Sequence, residues 1–124
     1  MSRKTETHKR LQKRFHAFVR DMKLTPAQAA ALCGMTVDYI NGLPDTLLDD
    51  LPEVVEHRMR LVAHIHEQLD MMCDSRKEVY EWMTTKHGVF GGKTPLNYLL
   101  ESPFAEEALI SLSDYLDHYI YRMW

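Results

Sequence analysis

Glycine, proline and cysteine are all scarce in this chain. Its 124 residues include 5 glycines, 5 prolines and 2 cysteines. Runs of β-branched residues are also few, so the sequence offers little material for strands and hairpins. These shortages exclude a disulfide-rich secreted scaffold and a low-complexity chain. Together with 45% hydrophobic and 27% charged residues, they predict a globular all-α fold.

Long apolar runs are missing as well. No stretch approaches the ~18 consecutive apolar residues that a membrane span needs, and no apolar segment of a signal peptide follows the basic N-terminal end. Cys33 and Cys73 lie in apolar segments with helical spacing, which is typical of reduced core thiols. We therefore expect a cytoplasmic protein with no membrane partner.

Catalytic and metal-binding patterns are lacking too. His57 and His64 would share a helix face but lie about two turns apart, and His66 would point to another side. No Ser or Cys nucleophile has a histidine beside it, and the segment GVFGGKT lacks P-loop spacing. We expect no catalytic residue, no metal and no cofactor, so the chain is not expected to be an enzyme.

Charge, by contrast, is present and unevenly distributed. The formal net charge is −3, yet the first 23 residues hold eight Lys or Arg against Glu6 and Asp21, a local +6 that leaves −9 elsewhere. Residues 5–22 have an apolar stripe at helical spacing, so the cations occupy the other faces. This favours an anionic partner such as DNA, although a solvated helix face has the same composition. The candidate phosphate contacts are Arg3, Lys4, Lys9, Arg10, Lys13 and Arg14.

Residues 25–43 predict a helix-turn-helix. Thr25-Pro26 is a cap followed by a proline at the first helical position, and Gly34 allows the turn. Ordinary helical hairpins share this spacing. In a DNA-binding unit, the second helix would be the recognition helix, but it lacks the Arg or Lys that most often contacts guanine. Its exposed residues would be Thr36, Val37, Asp38 and Asn41.

A long helix is predicted from Pro52 to about Met72, and it divides the chain into residues 1–72 and 73–124. The second part begins with a helix over residues 75–87, which Ser75 and Glu78 would start as a capping box.

The segment Trp82–Leu100 interrupts the helical periodicity. Two consecutive glycines, Gly91 and Gly92, indicate positive φ or a close backbone approach. Thr94-Pro95 then caps a short helix, and Ser102-Pro103 would start the last one in the same way. An ordinary helix–helix connection would have the same local features.

The chain ends in large apolar groups, where termini are usually polar. Trp, Tyr and Arg are the residue types that anchor protein interfaces. The end therefore indicates either an interface or a terminal helix folded back on its own core. The residues concerned are Tyr119, Tyr121, Arg122, Met123 and Trp124.

These features together resemble the Xre/MbcA/ParS-like antitoxin family over nearly the whole chain from about residue 15. That family has a Trp-Leu pair, a Leu-Gly-Gly group, Thr/Ser-Pro and a Leu-rich turn. The matching groups here are Trp82-Met83, Phe90-Gly91-Gly92, Thr94-Pro95-Leu96 and Leu99-Leu100.

The resemblance implies an antitoxin with an N-terminal helix-turn-helix domain and a small helical toxin-binding domain. Its partner would be a RES-type, NAD-consuming toxin, and promoter DNA could be bound by a homodimer or a toxin–antitoxin complex. The toxin contacts would come from the helix 103–124 with Tyr119 and Tyr121–Trp124, and from the loop Gly91, Gly92, Lys93 and Thr94. Arg122 would enter a pocket built for phosphates. The alternative is a stand-alone helix-turn-helix regulator whose C-terminal domain dimerises.

Overall fold

The computed structural model describes the backbone of residues 3–38 and 52–123, with the side chains of 9–38 and 52–121. These residues form helices and no strand, so the all-α prediction is confirmed. None of these helices is both long and apolar enough to cross a membrane. The helices are α1 (Arg3–Asp21), α2 (Pro26–Cys33), α3 (Glu53–Met72), α4 (Arg76–Met83), a 3-10 turn (Gly88–Phe90), α5 (Pro95–Glu101) and α6 (Ala105–Met123).

Helix α2 begins and ends where its sequence signals predict. The Thr25 hydroxyl accepts the Gln28 N–H at 3.1 Å, and the Gln28 side chain accepts the Thr25 N–H at 2.9 Å. Gly34 ends the helix with a φ of 72°. Val37 and Asp38 have helical backbone, but Asn41 and the rest of the predicted recognition helix lie outside the described residues. The helix-turn-helix therefore stays a prediction.

Helix α3 is the central element of the fold. It packs against α1 on one side and α6 on another, and it also contacts α2 and α4. Its buried side chains belong to one core that includes fully buried residues from both sides of residue 72. The division into 1–72 and 73–124 stays a prediction, but helices of the two parts share this core. The largest buried contributors include Phe15 and Phe18 of α1, Met59 and Ile65 of α3, and Leu109 and Leu112 of α6.

A buried polar contact links α3 to α6. The Gln68 amide donates to the Ser113 carbonyl at 3.0 Å and to the Asp117 carboxylate at 2.6 Å. The Ser113 hydroxyl returns a hydrogen bond to the Gln68 side-chain oxygen at 3.1 Å. Both ends of the buried amide are thus satisfied, which offsets the cost of removing it from water.

The helix predicted over residues 75–87 is shorter than expected, because it ends at Met83. The hydroxyls of Thr84 and Thr85 each donate at 2.6 Å to a carbonyl four residues earlier, on Tyr80 and Glu81. Such side-chain bonds compete with continued helix. The predicted capping box is also only half formed, because the Glu78 carboxylate accepts the N–H of Asp74 rather than that of Ser75.

The last helix begins at Ala105, two residues later than the Ser102-Pro103 pattern predicted. The Ser102 hydroxyl accepts the Phe104 N–H at 3.1 Å and so closes a local turn over Pro103. The first helical hydrogen bond then joins the Phe104 carbonyl to the Ala108 N–H at 3.0 Å. The serine therefore shapes the turn before the helix instead of capping the helix itself.

Candidate interaction surfaces

Aromatic rings link α4 to α6. Trp82 is half-buried, and its ring lies 6.3 Å from Tyr115 in a stacked arrangement and 6.5 Å from Tyr119 edge-on. The imidazole ring of His87 also packs against the Trp82 ring, with ring centroids 4.8 Å apart. Val79 and Met83 are the fully buried residues of this helix. Trp82 instead holds α6 at the edge of the core. We call Trp82, Tyr115 and Tyr119 the aromatic surface. Tyr121, two residues beyond Tyr119, projects from another side of α6.

The predicted end-of-chain contacts begin within this surface. Tyr119 is 39% exposed and packs on Trp82, whereas Tyr121 is 81% exposed. Tyr119 therefore folds back on Trp82, whereas the interface interpretation of the exposed Tyr121 stays a prediction. The backbone of Arg122 and Met123 continues α6, but their side chains, and Trp124 as a whole, lie outside the described residues.

The glycine turn beside this surface is well defined. Gly91 and Gly92 have φ values of 67° and 81°, and a Cβ on either would meet no atom within 4 Å. Positive φ, not a close approach, thus accounts for the pair. Lys93 is exposed and pairs with Glu101 at 3.7 Å, while the Thr94 hydroxyl caps α5 by accepting the Asn97 N–H at 3.0 Å.

Gly91→Ala should lower the free energy of unfolding by about 1–2 kcal/mol, because an L side chain is strained in this left-handed conformation. Gly88→Ala is the matched control, since Gly88 lies three residues earlier without positive φ and with open space around it. The control should be neutral or slightly stabilising. Urea denaturation followed by circular dichroism measures both. Equal losses in the two variants would contradict the backbone explanation.

The cations predicted to contact DNA are separated into two groups by the structure. Arg10 and Lys13 are exposed on α1, and Lys9 is half-buried. Arg14 is held by two carboxylates of α3, Asp70 at 3.2 Å and Glu67 at 3.7 Å. The backbone of Arg3 and Lys4 lies in α1, and their side chains are outside the described residues.

A groove of about 650 Å³ lies beside these cations, between α1, α3 and the start of α4. We call it the basic groove. It brings Arg20 and Arg76 together with three of the predicted residues, whereas the exposed residues Thr36, Val37 and Asp38 do not line it. The helical spacing of α1 could have identified Arg20 as a further residue of this groove. Arg76 reaches the groove only through the packing of α4 in the folded protein. The residues that line the basic groove are Arg10, Leu11, Lys13, Arg14, Ala17, Arg20, Ala63, Glu67 and Arg76.

Neither cysteine has the environment of a reactive thiol. Cys33 is fully buried, and burial raises the pKa of its thiol far above the usual value. Burial also raises the pKa of Cys73, and the neighbouring carboxylates of Glu78, Asp74 and Asp70 add to that effect. A low pKa activates a thiol, so these shifts disfavour nucleophilic chemistry. Among the described residues no cluster of His, Cys, Asp and Glu could hold a metal ion.

Two surfaces therefore remain as candidates for function. The aromatic surface offers rigid rings next to an exposed tyrosine, as protein interfaces do. The basic groove offers clustered cations on a chain of net charge −3. Comparison with protein-family models and with curated proteins gives no match for this chain.

Proposed function

We propose that this protein is an antitoxin that binds a RES-type, NAD-consuming toxin through the C-terminal end of α6 and blocks the toxin's active site. The proposal comes from the resemblance of the segment Trp82–Leu100 to the Xre/MbcA/ParS-like family. The observation that carries it here is Tyr121, a large aromatic residue that is 81% exposed in the last turns of α6.

The surroundings of Tyr121 favour an interface over an accidental exposure. The helix that carries it is fixed two residues earlier, where Tyr119 packs against Trp82 and Tyr115. A preordered helix loses little conformational entropy when a partner binds. Tyrosine also adds a large contact area with few rotatable bonds. Arg122 follows directly, and its role as the cation entering a phosphate pocket is part of the proposal.

A second candidate function is binding of the operon's promoter DNA, either beside toxin binding or as the main activity of a regulator. The exposed cations Arg10 and Lys13 on α1 favour it, because phosphate contacts supply most nonspecific DNA affinity. Val37 and Asp38, at the start of the predicted recognition helix, carry no positive charge and so do not add to the phosphate contacts.

Tyr121→Ala should weaken binding to the RES-type protein of the same operon by about tenfold or more, as loss of an interface anchor does. The measurement is co-purification of tagged toxin, followed by a titration of the purified pair. NAD should fall in cells that carry toxin with this variant. A chain ending at Ile120 should lose binding further.

Phe104→Ala is the matched control. Phe104 is 64% exposed and directly precedes the first residue of the same helix, about 25 Å from Tyr121. It should leave binding unchanged. If the chain ending at Ile120 still protects cells, the assigned surface is wrong. If wild-type protein dimerises and binds its promoter but never captures the toxin, the stand-alone regulator is correct instead.

A further inference from the structure

The basic groove has no part in toxin binding as proposed above, but it includes Arg10 and Lys13, so the inference below extends the second candidate function. We propose that the groove is a binding site for consecutive phosphates of a nucleic-acid strand. The site would contact the sugar-phosphate backbone of the strand and would not distinguish base sequences.

Charge is the first reason. Five cations line the groove, and three carboxylates lie against two of them: Glu67 and Asp70 at Arg14, and Asp21 at Arg20. Five positive charges against three negative ones leave a local charge of +2. The whole chain carries −3, so its overall field does not attract a polyanion. Any attraction must come from this local concentration of positive charge, which acts over about 8–10 Å at moderate salt.

The cations also divide into fixed and free members. Arg14 is anchored by Asp70 and Glu67, and Arg20 lies 3.5 Å from Asp21. Arg10, Lys13 and Arg76, in contrast, have no ion pair within the described part of the chain. The anchored guanidiniums form a preordered wall, while the free ones can neutralise a ligand's phosphates directly.

The shape of the groove suits an extended ligand. Arg10, Lys13 and Arg20 span about 15 Å along α1, given the ~1.5 Å rise per residue. Phosphates of one strand recur about every 3.4 Å of duplex axis and are spaced more widely along an extended single strand, so this length accommodates at least two consecutive phosphates. The small side chains of Ala17 and Ala63 leave the space between α1 and α3 open.

Backbone recognition follows from what lines the groove. Its polar groups are cations apart from Glu67, and no Asn or Gln is present to read a base edge. Such contacts position a strand without specifying sequence. A free nucleoside triphosphate presents the same chemistry of adjacent phosphates, so the test must separate the two sources.

The test is fluorescence anisotropy with a labelled single-stranded DNA of about 12 nucleotides at ~50 mM salt. The double variant Lys13→Gln/Arg76→Gln should bind about tenfold more weakly, with a salt slope reduced by about 1–2. Lys77→Gln/Lys86→Gln removes the same charge from exposed sites outside the groove and should bind like wild type. All four side chains are exposed, so thermal melting should stay unchanged.

Equal weakening in both double variants would overturn the proposal, because net charge would then explain binding. Absence of wild-type binding at ~50 mM salt would overturn it as well. Strands of different sequence should bind alike, and a strong sequence preference would contradict backbone recognition. If ATP displaces the strand at a lower concentration than unlabelled strand does, the groove binds phosphates but its ligand is the free nucleotide. None of these outcomes depends on the toxin.

Discussion

Replacing Leu112 by alanine should lower the free energy of unfolding by about 2–5 kcal/mol. Its side chain is 0% exposed on the buried face of α6, the helix that packs against α3. The substitution removes buried apolar surface and leaves a cavity that the surrounding helices fill only partly. Urea denaturation measures the loss, with circular dichroism reporting on all helices and fluorescence on Trp82 and Trp124.

The same experiment tests the division of the chain. Helices α3 and α6 come from the two predicted domains but share one core, so we expect the two probes to report a single transition. Both tryptophans follow residue 72, so a separate N-terminal domain would appear in circular dichroism alone. Ile110→Ala, on the exposed face of the same helix, is the control and should cost far less. Two separated transitions would support independent domains.

Local sequence signals predicted where the helices lie, but they predicted the exact ends of only some of them. The Thr25-Pro26 cap and the Gly34 stop were both correct, because each is decided by hydrogen bonds and φ within a few residues. The end of α4 and the start of α6 were predicted at the wrong residues. The hydroxyls of Thr84 and Ser102, which lie at these two ends, had several backbone partners within reach. Which partner such a side chain takes depends on the chain path around it.

Surfaces were predicted less well than helices. The spacing Arg10, Lys13, Arg14 was visible in the sequence, but the packing that brings Arg76 of α4 to the same groove was not. That juxtaposition depends on how α1, α3 and α4 pack, to which each helix contributes only its apolar face. In the same way, sequence favoured a surface or packed role for His66 and gave no indication of its partners Arg14 and Asp21.

These partners form a buried polar contact between α1 and α3. His66 is 4% exposed, and its Nε2 lies 2.9 Å from a carboxylate oxygen of Asp21, whose side chain is 6% exposed. Arg14 Nη1 lies 3.3 Å from Nδ1 of the same ring. A guanidinium can only donate, so Nδ1 accepts and Nε2 carries the proton that is donated to Asp21. The ring of His66 therefore bridges Arg14 and Asp21 of α1.

His66→Ala should therefore destabilise the fold by about 3 kcal/mol. It removes the donor of a nearly buried carboxylate as well as the packing of the ring against Phe18, 6.1 Å away. A double-mutant cycle with Asp21→Ala separates these effects, because the packing loss is not shared with Asp21. The coupling energy should be about 1.5–3 kcal/mol, as for a hydrogen bond to a charged group. His64→Ala, exposed on the same helix, is the control and should change stability little. A coupling near zero would mean that His66 contributes only by packing and that Arg20 or water, not the imidazole, satisfies Asp21.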